Sequence, residues 1–316
     1  MRRALLVGID DYPSAPLAGC VNDAEAMQRL LRRHDDGRVN FDTQLLTSDR
    51  ESVTRTRLRE GIEELFADPA EVALLYFSGH GTENDLGGYL VTSDAAAYDE
   101  GVSLADVLAS ANRASHIGEV AIIVDSCHSG WLGTVPAADN AHASLREGLS
   151  ILSASRSSQP SLERDEHGVF TELVCSALDG GAADILGNVT VAAIYAYVDQ
   201  ALGAWDQRPL FKSHVSRMLS LRTANPAIDI AVLRRLPEWF ETPDAEFPLS
   251  SRHEHTTKPQ DGEAEATFRS LQSCNRVKLV EPIDEEHMYY AAINGTGCRL
   301  TALGRFYWRL AADGRI

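Results

Sequence analysis

At 316 residues, with 29 Lys+Arg against 46 Asp+Glu, the chain carries a formal charge of −17, which argues against general binding of phosphate backbones, since that rests on Lys and Arg. An apolar fraction of 44% and a charged fraction of 24% are those of an ordinary globular protein with room for one sizeable α/β domain and a smaller module. No apolar stretch approaches the ~20 residues that span a bilayer, and the N-terminal MRRALLVGIDDY lacks the apolar core and cleavage site of a signal peptide.

Short apolar runs of strand length alternate with amphipathic segments from the start. The runs are RALLVGI (3–9), TQLLTS (43–48), EVALLYFS (71–78), EVAIIVDS (119–126) and LSILSAS (149–155), continuous as strands buried on both faces should be. Between them, Met27, Leu30, Leu31 and His34 recur at helical spacing behind a capping-type pair, Asn22 and Glu25. The same spacing recurs in Leu58, Ile62, Leu65 and Phe66, then in Leu104, Val107, Leu108 and Ala111 behind Ser103. Two further helices are expected, through Phe170, Leu173, Val174 and Ala177, and through Val191, Ile194, Tyr195, Val198 and Leu202. SHVSRMLSLR (213–222) alternates and reads as a last strand. The expected class is α/β, a mostly parallel doubly wound sheet, over residues 1–223.

Residues 224–262 read as a linker region, with a polar, Pro-containing core at 241–262 that shows no periodicity. Residues 263–316 form a small α+β pattern: a helix around Ala264, Phe268 and Leu271, strands at RVKLVEPI and HMYYAAIN, and a helix through Leu300, Leu303, Phe306, Tyr307 and Leu310. That pattern suggests a winged-helix-like accessory module. Its neighbourhood, residues 225–316, holds eleven Lys+Arg against fourteen Asp+Glu, a net of −3, so recruitment of an activating or partner protein fits better than nucleic acid.

In such sheets, ligands bind beyond the carboxyl ends of the strands. There the run AIIV ends in Asp125-Ser126-Cys127-His128-Ser129-Gly130, and LLYF ends in Ser78-Gly79-His80-Gly81. Strand parity puts Asp125 and Cys127 on one side and His128 on the other, so the base for Cys127 must come from elsewhere. His80, 47 residues earlier, is the candidate, at the end of a neighbouring strand. An imidazole near the thiol raises its thiolate fraction. The backbone amides of Gly81 and Cys127 are candidate oxyanion donors. The five cysteines (Cys20, Cys127, Cys175, Cys274 and Cys298) form no CxxC pair, which points to a reduced, cytoplasmic setting.

YFSGHGT followed by VDSCHSG resembles the His and Cys motifs of the caspase-like cysteine peptidases. DSCHSG and AGCVNDA (18–24) resemble the metacaspase and bacterial orthocaspase branch, and the likeness covers roughly residues 3–222. The resemblance implies a six-stranded caspase-like sheet and a cysteine endopeptidase acting on protein or peptide substrates, with Cys127 as nucleophile and His80 as base. It also implies a primary pocket lined by Asp23 and Asp125, with Ser78 near by. Two carboxylates there suit an Arg guanidinium, and next a Lys ammonium, before the cut. The acid-selecting QACRG signature is absent. Relatives often mature by self-cleavage, for which Arg146, and then Arg156 or Arg164, are candidates. Roles in proteolytic signalling or antiviral defence follow from the same likeness. No cofactor is needed for the chemistry. Calcium is a possible activator, with Asp94, Asp99 and Glu100 among the acidic stretches, and no metal ligands can be assigned.

Blander readings stand beside these. Cys127 could be a buried inert thiol, or join His80 and His128 at a zinc site, although the spacing is poor for zinc. Asp23 could cap its helix, Asp125 could be a solvated strand end, and Ser78 could be structural. At the level of function, the alternatives are a catalytically silent caspase-fold scaffold and a winged-helix regulator.

Overall fold

The computed structural model describes residues 1–85, 87–96, 99–126, 145–154, 163–164, 167–202 and 208–316, and at Glu163, Arg164 and His167 the backbone alone. The chain divides into two compact units, one of residues 1–183 and 187–225 and the other of 184–186 and 226–316.

The first unit is organised by strands β1 (Arg2–Gly8), β2 (Asp42–Thr47), β3 (Ala70–Ser78), β7 (Ile117–Asp125), β8 (Leu149–Ser153) and β12 (Leu210–His214). They form one six-stranded sheet in the order β12-β8-β7-β3-β1-β2, parallel throughout except for β12 on β8. Successive residues of each strand enter opposite cores, which is why the runs are apolar without interruption. Leu5, Val7, Leu75, Phe77, Ile122 and Val124 face one cluster, with helices α2 (Arg55–Ala67) and α3 (Leu104–Arg113). Leu6, Leu74, Tyr76, Ala121 and Ile123 face the other, with α1 (Cys20–Leu31), α4 (Val169–Ser176) and α5 (Val191–Leu202).

Three features differ from the sequence reading. Helix α1 begins at Cys20, before the Asn22–Glu25 pair, because the Asp10 carboxylate accepts from the Cys20 and Val21 amides at 2.8 and 3.2 Å. A small antiparallel sheet of β4 (Gly81–Asn84), β5 (Gly87–Ala96) and β6 (Asp99–Ser103) follows β3. The expected strand 213–222 is split: only its first residues belong to the central sheet, through β12. The others include β13 (Ser220–Thr223), which pairs with β11 (Asn188–Thr190). Between the two pieces the Glu119 carboxylate accepts from the Leu219 amide at 2.9 and 3.0 Å. Two short strands, β9 (Glu163–Arg164) and β10 (His167–Gly168), pair ahead of α4.

The second unit corrects the linker reading. Residues 226–262 contain α6 (Ile230–Arg234), α7 (Leu236–Trp239) and β14 (Glu246–Phe247), and Ile228, Leu233, Leu236, Phe240 and Leu249 are buried in its core. The rest comprises α8 (Gly262–Arg276), β15 (Val280–Pro282), α9 (Met288–Asn294), β16 (Cys298–Leu300) and α10 (Ala302–Ala312), with a sheet ordered β14-β16-β15. HMYYAAIN is therefore a helix. Met288, Ala291 and Ala292 are buried at helical spacing, while Tyr289 and Tyr290 are exposed. The winged-helix expectation rested on a second strand there. No described helix is long and apolar enough to cross a membrane.

Candidate active site

Two parallel neighbours end together: Ser78 at the end of β3 is paired with Asp125 at the end of β7. The Gly79 N–H continues the contact to the Asp125 carbonyl at 3.3 Å. Asp23 arrives from the first turn of α1. It is 1% exposed and does not cap the helix, a role filled by Asp10. The Ser78 hydroxyl donates to Asp23 Oδ2 at 3.3 Å, and the Gly168 N–H donates to the same oxygen at 3.1 Å. Asp125, 5% exposed, is no solvated strand end. The Thr171 hydroxyl donates to its Oδ2 at 2.8 Å, and Tyr76 stands 2.6 Å from the Thr171 oxygen. Thr171 has given its one proton to Asp125, so Tyr76 is the donor in that second bond.

Gly168, at the head of α4, is where the two carboxylates meet. A Cβ on it would stand 2.5 Å from Asp125 Oδ2 and 3.1 Å from Asp23 Oδ2. No side chain larger than hydrogen fits between them. The three pocket residues expected from the motifs, Asp23, Asp125 and Ser78, are thus brought together. Thr171, Tyr76 and Gly168 join them without having been expected.

His80 leaves β3 two residues past Ser78 and is half-buried. Its Nε2 lies 2.7 Å from the Ala15 carbonyl, and a carbonyl can only accept. Nε2 therefore carries the proton of the neutral ring, and Nδ1 holds the lone pair free to take one. The imidazole packs on Tyr12, with ring centroids 4.6 Å apart at 53°. Val91 N–H donates to the His80 carbonyl at 3.0 Å, so in the alternating antiparallel pattern the next residue, Gly81, turns its N–H away from β5.

Cys127 with its backbone amide, His128 and Arg156 lie outside the described residues, as does the side chain of Arg164. The four described cysteines are free and poorly suited to nucleophilic work. Burial raises the Cys20 thiol far above its ordinary value, and pushes Cys175, Cys274 and Cys298 up to about 12.

Arg146 is at the other end of the sheet. Its guanidinium donates to the carbonyls of Ala111, Glu147 and Ile117 at 2.9, 2.6 and 3.1 Å. Ile117 opens the nine-residue β7 that Asp125 closes, which separates the two by roughly 26 Å at ~3.3 Å per residue. The acidic stretch considered for calcium is already engaged. Asp94 accepts from the Arg55 amide, Asp99 pairs with the Arg55 guanidinium and Glu100 accepts from Asn84. Among the described residues no three His, Cys, Asp or Glu side chains are grouped as metal ligands.

The caspase-domain family matches residues 1–220. The fold is similar to that of protein GSU0716 from Geobacter sulfurreducens, with a TM-score of 0.52, 15% identity, and coverage of 71% of this chain and 100% of that one. Caspase-1 from Spodoptera frugiperda superposes with a TM-score of 0.46 and 14% identity, covering 71% of this chain and 91% of the other. No curated protein matches by sequence. With the family covering more than two thirds of its length, carried on a six-stranded sheet of the expected kind, the chain belongs to the caspase-domain family of cysteine peptidases.

Proposed function

We propose that this chain is a cysteine endopeptidase that cleaves proteins after Arg, and less readily after Lys. The observation that carries the reading is the convergence on Gly168 of the Asp23 carboxylate, from α1, and the Asp125 carboxylate, from the end of β7, beside the end of β3 that leads to His80. A guanidinium presents five N–H donors in a planar fork, which suits two carboxylates better than the compact ammonium of Lys does. An acidic side chain before the cut would be repelled.

In the proposed reaction His80 Nδ1 removes the Cys127 thiol proton, while Nε2–H stays on the Ala15 carbonyl. The thiolate attacks the carbonyl carbon of the substrate Arg itself, and the resulting oxyanion is met by the amides of Gly81 and Cys127. The imidazolium then returns its proton to the departing amine, leaving an acyl-enzyme. Water, deprotonated by the same Nδ1, releases the new carboxylate and restores the thiol. Activity is regulated by self-cleavage or by a protein bound through residues 226–316. Arg156 and Arg164 are better self-cleavage candidates than Arg146, whose guanidinium is held at the far end of the sheet.

A fluorogenic peptide panel with Arg, Lys, Asp or Leu before the reporter, run with and without calcium, tests the proposal. Turnover should rank Arg, Lys, then the others, and vanish in Cys127→Ala. Turnover after Asp but not Arg overturns the pocket assignment, and turnover that survives Cys127→Ala overturns the mechanism.

A further inference from the structure

The turn that carries His80 is built around a hydroxyl from a distant part of the chain. In the β4–β5 ladder Thr82 faces Tyr89 and Gly81 faces Leu90, so the next rung joins His80 and Val91. An ordinary rung of this kind exchanges two N–H···O=C bonds. One is present, from Val91 N–H to the His80 carbonyl at 3.0 Å. In place of the other stands the Tyr12 hydroxyl: the His80 N–H donates to Tyr12 Oη at 3.0 Å, and that hydroxyl donates to the Val91 carbonyl at 3.2 Å.

Tyr12 is 68 residues from His80 in sequence and 5% exposed. Its ring supports the imidazole from one side. Gly79 makes room, because a Cβ there would lie 2.4 Å from Tyr12 Oη. The inserted oxygen satisfies two backbone groups and at the same time holds His80 away from β5, as an extra residue does in a bulge. Burial also pushes the Tyr12 phenol far above its ordinary value, so it remains a donor wherever the enzyme would work.

We propose that Tyr12 is a positioning residue for the catalytic base: its hydroxyl, wedged between His80 and Val91, keeps His80 out of the β4–β5 ladder, and its ring fixes the imidazole so that Nε2 meets Ala15 and Nδ1 is left to act as the base. The inference rests on the cysteine-peptidase reading given above. Without the hydroxyl the rung can close directly, His80 N–H onto the Val91 carbonyl, and the imidazole is drawn toward β5. A misplacement of about 1 Å at a reacting group costs on the order of 10²-fold in rate.

The test is Tyr12→Phe in the full chain, which removes one oxygen and keeps the ring. On an Arg reporter peptide, kcat should fall about 10²-fold with KM within about twofold, and the acidic limb of the pH–rate profile should move. In the Cys127→Ala background, where no turnover is needed, the His80 ring resonance should shift on Tyr12→Phe in an NMR spectrum. Unchanged kcat with an unmoved His80 resonance overturns the proposal, and so does a fall in thermal stability with both of these intact. If the wild type does not turn over the Arg reporter, the peptidase reading fails, while the resonance still decides whether Tyr12 holds His80.

Discussion

The two ends of the central sheet use charge in opposite ways. At the amino end a cavity of about 440 Å³ is lined by Glu71, Gly118, Glu119, Arg146, Glu147 and Arg217. Arg146 is bound to the carbonyls of Ala111 and Ile117, and Glu119 to the Leu219 amide. These charges fasten one stretch of backbone to another. At the carboxyl end the carboxylates of Asp23 and Asp125 converge on Gly168, and His80 is oriented by a carbonyl and an aromatic ring. Cavity size therefore does not lead to the end of the sheet where the chemistry is proposed. What the charged groups are aimed at does.

The contrast breaks if substitutions at the two ends have the same kind of effect. His80→Ala should have the largest, lowering kcat/KM on Arg peptides by about 10²–10⁴-fold, as loss of a general acid–base does, with thermal unfolding little changed. Asp125→Asn keeps an acceptor for Thr171 but removes the charge. It should lower kcat/KM on Arg peptides by about 10²-fold, the scale of losing one side of a buried charge-assisted contact, while turnover after Leu changes far less. A uniform loss across all peptides would make Asp125 structural.

At the amino end the order reverses. Arg146→Ala strands carbonyls that now accept from a guanidinium and should cost about 1–3 kcal/mol in denaturant unfolding, with peptide turnover retained. If the purified variant instead stays uncleaved and inactive while wild type is cleaved, Arg146 is a maturation site and the contrast between the ends fails. Glu119→Gln sharpens the picture with the smallest effect, about 0.5 kcal/mol or less near neutral pH. Burial raises the Glu119 carboxyl above its ordinary value. The folded state thus holds this proton more tightly than the unfolded chain does, and its contribution to stability is fullest at acid pH. That contribution declines as pH rises through the carboxylate range. Unfolding measured across that range should show the decline in wild type and a flatter curve in the variant.

Much of this was legible beforehand because the sheet is buried on both faces. Runs such as ALLYF and AIIV have no reason to be continuously apolar otherwise, and they fix where Ser78 and Asp125 must end. His80 is legible from its place at a strand end 47 residues before Cys127, and Asp23, Asp125 and Ser78 only through the resemblance to caspase-like motifs. Tyr12, Ala15, Gly168 and Thr171 are not legible, because they act through a hydroxyl, a carbonyl, a missing Cβ and a second hydrogen bond, none of which leaves a period in the sequence. The only signal for Tyr12 was an aromatic ring directly after the β1 run, in GIDDY. In the second unit, aromatic and β-type residues in HMYYAAIN suggested a strand, yet burial of Met288, Ala291 and Ala292 favoured a helix. The linker reading rests on the polar, aperiodic stretch 241–262, yet Leu233, Leu236 and Phe240 recur just before it at i, i+3 and i+7, and with Leu249 they fill one core.

The central claim is that the carboxyl end of the sheet joins an Arg-selective acidic pocket to a Cys127–His80 pair. Peptidyl chloromethyl ketones that differ only in Arg or Asp beside the warhead test this most directly, with the labelled residue identified by peptide mass mapping. The account predicts a single adduct on Cys127, formed rapidly with the Arg probe and slowly with the Asp probe, slowed in His80→Ala and absent in Cys127→Ala. Labelling of another cysteine, or equal rates with the two probes, would contradict it.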